Sequence, residues 1–148
     1  MTLSDPFVRR IALAKILGVL IGLFAFYMIS QHAPNAPEVL PYAFVALYLT
    51  VGGMVGAMGY YDAVPIFGFR LHPAVRGGMI GLWLSFVAYL FSWGAIGPAF
   101  EGYLGLPPAL THPVWMMIDG ALVGALIDCV VSLIYGRVQH PRLNTQSS

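Results

Sequence analysis

Long apolar runs alternate with short polar breaks along this chain, and the runs have the length of membrane helices. Four of them, at approximately 9–30, 41–61, 74–96 and 113–136, match the ~20 residues that a helix needs to cross a ~30 Å hydrocarbon core. Each begins beside a proline, at Pro6, Pro41, Pro73 and Pro113. Proline suits the first turn of a helix, where its missing N–H would have no intrahelical partner. Asp5 and Thr111 are placed to cap the first and last runs. The breaks, "HAPNAPE", "DAVPIFGFRLH" and "GPAFEGYLGLPPALTH", are rich in turn residues. The pattern predicts an all-α polytopic membrane protein, a four-transmembrane-helix bundle forming a single integral membrane domain over 1–148.

Composition strengthens that expectation. Hydrophobic residues make up 59% of the chain and charged residues 9%, against roughly 25% charged in soluble domains. The run from Ile11 to Ile29 behind Arg9 and Arg10 exceeds the ~7–15 apolar residues of a secretory signal, and no A-x-A site follows. It reads as an uncleaved helix. Cys129 is the one cysteine, so neither an intrachain disulfide nor a CxxC site is available. A net charge of +1 without a basic cluster speaks against nucleic acid as a partner, and no cofactor motif is present. The lipid bilayer is the expected partner.

Charge also orients the chain. Arg9, Arg10, Arg70, Arg76, Arg137 and Arg142 flank one end of the spans, whereas the other two connections hold Glu38 and Glu101 without any Lys or Arg. The positive-inside rule places both termini in the cytoplasm. Tyr27, Tyr42, Trp93, Tyr103 and Trp115 then mark the outer interface, and Tyr60, Tyr61 and Tyr135 the inner one. Short loops and composition point to a bacterial inner membrane.

The two halves of the chain resemble each other. Residues 51–73 overlie 119–141 without a gap, with eight of 23 positions identical, and "DPFVR" at 5–9 matches "HPAVR" at 72–76. The offset of 67–68 residues predicts a tandem parallel repeat of two helical hairpins, about 5–73 and 72–141, related by a pseudo-two-fold axis along the membrane normal. Small-x-x-x-small pairs occur in every span: Gly18/Gly22, Gly52/Gly56, Gly77/Gly81 and Gly120/Gly124. Such pairs let helix backbones approach closely in lipid, and are read first as packing signals, within the bundle or between copies in a homo-oligomer. The stretch "GGMVGAMGYY" is similar to a Gly-Gly-x-x-Gly-Ala segment of small fluoride channels. The arginine and the Thr-Phe-Ser run that accompany it there are missing, so no function follows from it.

Candidate chemistry rests on charges inside the spans. Asp119 and Asp128 are nine residues apart, half a turn out of phase and ~13.5 Å apart along one helix. They cannot form a paired-carboxylate site. Asp119 lies one turn from Trp115, near the interface. Asp128 shares a face with Gly124 and Ser132 at mid-span. Lys15 shares a face with Gly18 and Gly22 at a similar depth, so an ion pair between Lys15 and Asp128 is expected; the alternative for Lys15 is snorkelling to the headgroups. In the repeat, Tyr60 occupies the position matching Asp128. The candidate ion or proton site is therefore Asp128, Lys15, Asp119, Ser132 and Tyr60. His32, His112, Glu38 and Glu101 are the only candidates for a metal, and polar helix flanks explain them as well. Two functions stay open. One is a transporter or channel subunit moving a small solute or ion past the buried Asp/Lys pair. The other is a structural or assembly subunit of a larger membrane complex. No nucleophile–base arrangement argues for an enzyme.

Overall fold

The structure, a computed structural model, describes residues 5–33, 36–59, 71–92, 101, 105, 107 and 112–135. Among these are four helices, each long and apolar enough to span a membrane: α1 (Pro6–His32), α2 (Val39–Met58), α3 (Pro73–Phe91) and α4 (Pro113–Tyr135). Local chemistry sets their starts. Asp5 accepts a hydrogen bond from the Phe7 N–H at 3.0 Å, with Pro6 in the first turn. His72 plays the same part for α3, its Nδ1 accepting from the Ala74 N–H at 3.3 Å. At α4 it is His112 whose Nδ1 accepts, from the Val114 N–H at 3.4 Å; Thr111, the expected cap, lies outside the described residues. Helix α3 stops at Phe91, five residues before the expected 96. The Ser92 hydroxyl donates to the Ala88 carbonyl at 2.7 Å, and its N–H is shared between the Ala88 and Tyr89 carbonyls, which closes the last turn.

Two antiparallel hairpins, α1/α2 and α3/α4, carry most of the packing, and the hairpins touch each other much less. Inside each hairpin the helices meet backbone to backbone. A Cβ on Gly52 would strike the Ala14 carbonyl, and one on Gly18 the Tyr48 carbonyl; Gly22 faces the Val45 Cα at 2.8 Å from its own would-be Cβ. In the second hairpin, Gly77 opposes Gly124, and Gly81 opposes Gly120 and Gly124. With no hydrophobic force acting between helices in lipid, this close approach is what dispersion and weak backbone contacts can exploit.

The two seams share a register. Ala14–Gly52 in the first hairpin corresponds to Gly81–Gly120 in the second, Gly18–Gly52 to Ser85–Gly120, and Ala14–Gly56 to Gly81–Gly124. In each case the first member moves by 67 residues and the second by 68.

Where the hairpins meet, Ala14, Val51, Val55, Ile127 and Val131 form a fully buried apolar layer contributed by α1, α2 and α4. Outside, the bundle is apolar too: Leu20, Phe24, Trp83, Leu122 and Leu133 are all more than half exposed. Only 17–33% of the residues in each span's most apolar window are buried. A soluble bundle would turn those faces inward, so the exposed surface is the kind that suits hydrocarbon.

Candidate functional site

Polar contacts between the hairpins occur at two levels, with the apolar layer between them. The first level is at the end where α1 and α3 begin and α2 and α4 end, called here the arginine end. Asp128 on α4 is fully buried. Its Oδ1 accepts across the joint from Arg10 Nη2 of α1 at 2.9 Å, while Arg76 of α3, in the same hairpin, binds it in two-pronged fashion, Nε to Oδ2 at 2.9 Å and Nη2 to Oδ1 at 3.0 Å. Ser132, one turn further along α4, accepts from Arg10 Nη2 at 3.0 Å, and its hydroxyl faces Asp128 Oδ1 at 3.4 Å. The Arg10 guanidinium lies flat on the end of α2. A side chain at Gly59 would come within 2.7 Å of its Nε and 2.8 Å of its Cζ. That placement sets a cation against the carbonyl-rich end of α2, where the helix dipole favours it. Helices α1, α3 and α4 thus supply the groups around one carboxylate, and the end of α2 backs the Arg10 guanidinium.

This geometry corrects the expected Lys15–Asp128 pair. Lys15 is exposed, and its aliphatic stem runs along α2, with Cε 3.2 Å from the position a Cβ on Gly53 would take. The carboxylate it was assigned to is held by Arg10 and Arg76 instead. Depth counting misled here because it places Cα atoms. An arginine side chain reaches about as far as four residues of helix rise, so guanidiniums anchored nearer the interface reach inward to Asp128. A sequence signal for Arg10 existed: it lies four residues before Ala14 on the stripe Ala14, Gly18, Gly22, and all four are buried.

The second level is toward the opposite end. Tyr48 of α2, itself buried, donates its phenolic hydrogen to Asp119 Oδ2 of α4 in a short hydrogen bond. Asp119 is six residues into α4, about 9 Å from the start of the helix, and it remains exposed at the edge of the seam. No charge or motif marks Tyr48 in the sequence, although it lies four residues before Gly52 on the packed face of α2.

Tyr60, the remaining ion-site candidate, lies outside the described residues. His32 is exposed, with Nδ1 3.0 Å from the Met28 carbonyl oxygen; His112 serves as the α4 cap; Glu38 and Glu101 are exposed. Among the described residues no three His, Cys, Asp or Glu side chains gather to hold a metal.

Chemically, the arginine end is a fixed-charge clasp. Asp128 accepts from two guanidiniums and is removed from solvent, so it has little freedom to bind anything else. Asp119 differs, being accessible and, among the described residues, held by one neutral donor. No family model, curated protein or solved structure matches the chain, so the geometry itself must carry the functional argument.

Proposed function

We propose that this chain is a small inner-membrane transport subunit in which the seam between its two hairpins is the path, with Asp119 and Tyr48 at the mouth and Asp128 in the clasp that hinges it. The observation that carries the reading is the contrast between the seams. Each hairpin is welded by backbone contact, while the hairpins are joined by polar contacts at two levels separated by Val51, Val55, Ile127 and Val131. Two rigid halves around a loosely held seam are what rocking or gating of one unit against another requires. An exposed carboxylate within a span costs at least ~2.5–3.5 kcal/mol in lipid. Asp119 therefore favours water, a solute or a partner in front of it.

The arginine end is cytoplasmic in this reading, supported by the distribution of Lys and Arg. The hairpins are a tandem duplication, supported by the shared contact register at an offset of 67 and 68 residues. The outward apolar faces suit lipid or further copies of the chain.

A second reading, a structural or assembly subunit of a larger complex, draws on Asp128. A carboxylate fully occupied by two arginines reads as helix-to-helix glue, with the charges specifying register. Proteoliposome flux over a panel of small ions and solutes separates the two. Transport predicts flux above empty liposomes for at least one of them, reduced about tenfold in Asp119→Asn with the fold intact. Absence of flux throughout, with stoichiometric partners co-purifying, favours the assembly reading.

A further inference from the structure

The far end of the first hairpin holds a pocket that neither seam uses. It has a volume of about 250 Å³ and is lined by Phe26 and Ser30 of α1, Ala33 and Ala36 of the connection, and Glu38, Pro41 and Tyr42 at the start of α2. The geometry points to a binding site for a small organic ammonium ion, with Glu38 as counter-charge and the Phe26–Tyr42 pair as aromatic wall.

Three observations carry this assignment. First, the two rings form a corner: their centroids are 5.2 Å apart and their planes meet at 70°. Ring faces attract cations through their quadrupole, and aromatic walls are the recurrent means of recognising alkylammonium groups. Second, Glu38 is the charged group on the pocket wall, and among the described residues it makes neither a cap hydrogen bond nor a salt bridge. No Lys or Arg occurs between residues 16 and 69 or between 77 and 136, so no lysine or arginine of the far end competes for it. Third, size and depth fit. The volume is below the roughly 300–1,000 Å³ of pockets that take drug-sized ligands. The walls run from the end of α1 to Phe26, six residues and about 9 Å inward, which in a span this long covers the headgroup level and the edge of the hydrocarbon. A group with an apolar collar and a positive centre satisfies both the rings and the carboxylate. A bare metal ion would leave the rings unused, and an anion would meet Glu38.

The ammonium group belongs either to a zwitterionic lipid headgroup or to a free amine in solution, and the site makes the same demands of both. It lies on one hairpin, away from the seam, and does not depend on the transport reading.

The test uses the full chain in phosphatidylglycerol nanodiscs, which contain no lipid ammonium, titrated calorimetrically with choline and with its neutral isostere 3,3-dimethylbutan-1-ol. Saturable choline binding is expected. The isostere should bind about tenfold more weakly, as should choline to Glu38→Gln and to Tyr42→Ala. These side chains are exposed, so the variants fold. Repeating the titration in phosphatidylcholine nanodiscs identifies the source: weakened choline binding means the headgroup occupies the site, and unchanged binding means a free amine does. Lack of saturable choline binding in phosphatidylglycerol, or equal affinity in wild type and Glu38→Gln, would overturn the assignment.

Discussion

The seam within a hairpin and the seam between hairpins solve the same problem, association of helices that are apolar on every side, by opposite means. Inside the hairpins, side chains are removed: Gly18, Gly52, Gly77, Gly81, Gly120 and Gly124 bring backbones into contact. Between them, side chains are extended: Arg10 reaches across to Asp128, which Arg76 also holds from within the second hairpin, and Tyr48 reaches Asp119. Backbone contact is spread over several turns and has no single point of failure that titration or a ligand could reach. Polar contact is concentrated in two places and is directional. The first arrangement makes a rigid unit, and the second makes a joint whose parts can be released separately.

That contrast is most severely broken at Asp128. Asp128→Ala leaves the buried Arg10 and the partly buried Arg76 guanidiniums around an empty site, and a loss of about 3–5 kcal/mol is expected, read as a large drop in thermal midpoint in detergent. Adding Arg10→Met should recover part of it, giving a coupling of about 0.5–3 kcal/mol in a double-mutant cycle. Next in size is Gly81→Val. Its side chain would collide with the Gly120 carbonyl and approach the Gly124 Cα, so a cost of about 1–3 kcal/mol or more is predicted. The same substitution at Gly78 should cost less, because its would-be Cβ has 3.4 Å to its nearest neighbour. Tyr48→Phe removes one interhelical hydrogen bond, and a loss near 0.6 kcal/mol is the membrane-protein average. Smallest of all is Lys15→Met, within about 0.5 kcal/mol, since the exposed ammonium pairs with neither aspartate. A Lys15→Met effect as large as that of Arg10→Met would restore the pairing that the structure removes.

How much of this was legible in the sequence depended on the length scale. Spans of about 20 apolar residues and prolines at their starts located four helices, because membrane thickness and the lost N–H act locally. Asp128 stood out because a carboxylate at mid-span must be accounted for. Its partners did not, since Arg10 and Arg76 double as flanking charges and nothing local distinguishes a guanidinium reaching inward from one reaching to headgroups. Counted along backbones, Lys15 matches the depth of Asp128 better than Arg10 does, and the reach of the arginine side chain reverses that order. Tyr48 is unmarked in the sequence, since a tyrosine in a span resembles any other aromatic until the facing helix presents an acid. The end of α3 was set by Ser92 bonding back to Ala88 and Tyr89, a local choice that hydropathy does not register.

The central claim is that the hairpins are rigid units held firmly at the arginine end and lightly at the other. Spin-label distances in lipid nanodiscs test it most directly, in a Cys129→Ser background with labels on exposed positions. One pair spans the joint near Asp119 (Ala46→Cys with Ile118→Cys), a second spans it at the arginine end (Met58→Cys with Ile134→Cys), and a third lies within the second hairpin (Leu90→Cys with Trp115→Cys). Adding Asp119→Asn should broaden or lengthen the first distribution and leave the other two narrow. If all three change together, or if none does, the bundle moves as a single body and the joint between hairpins is not where its function lies.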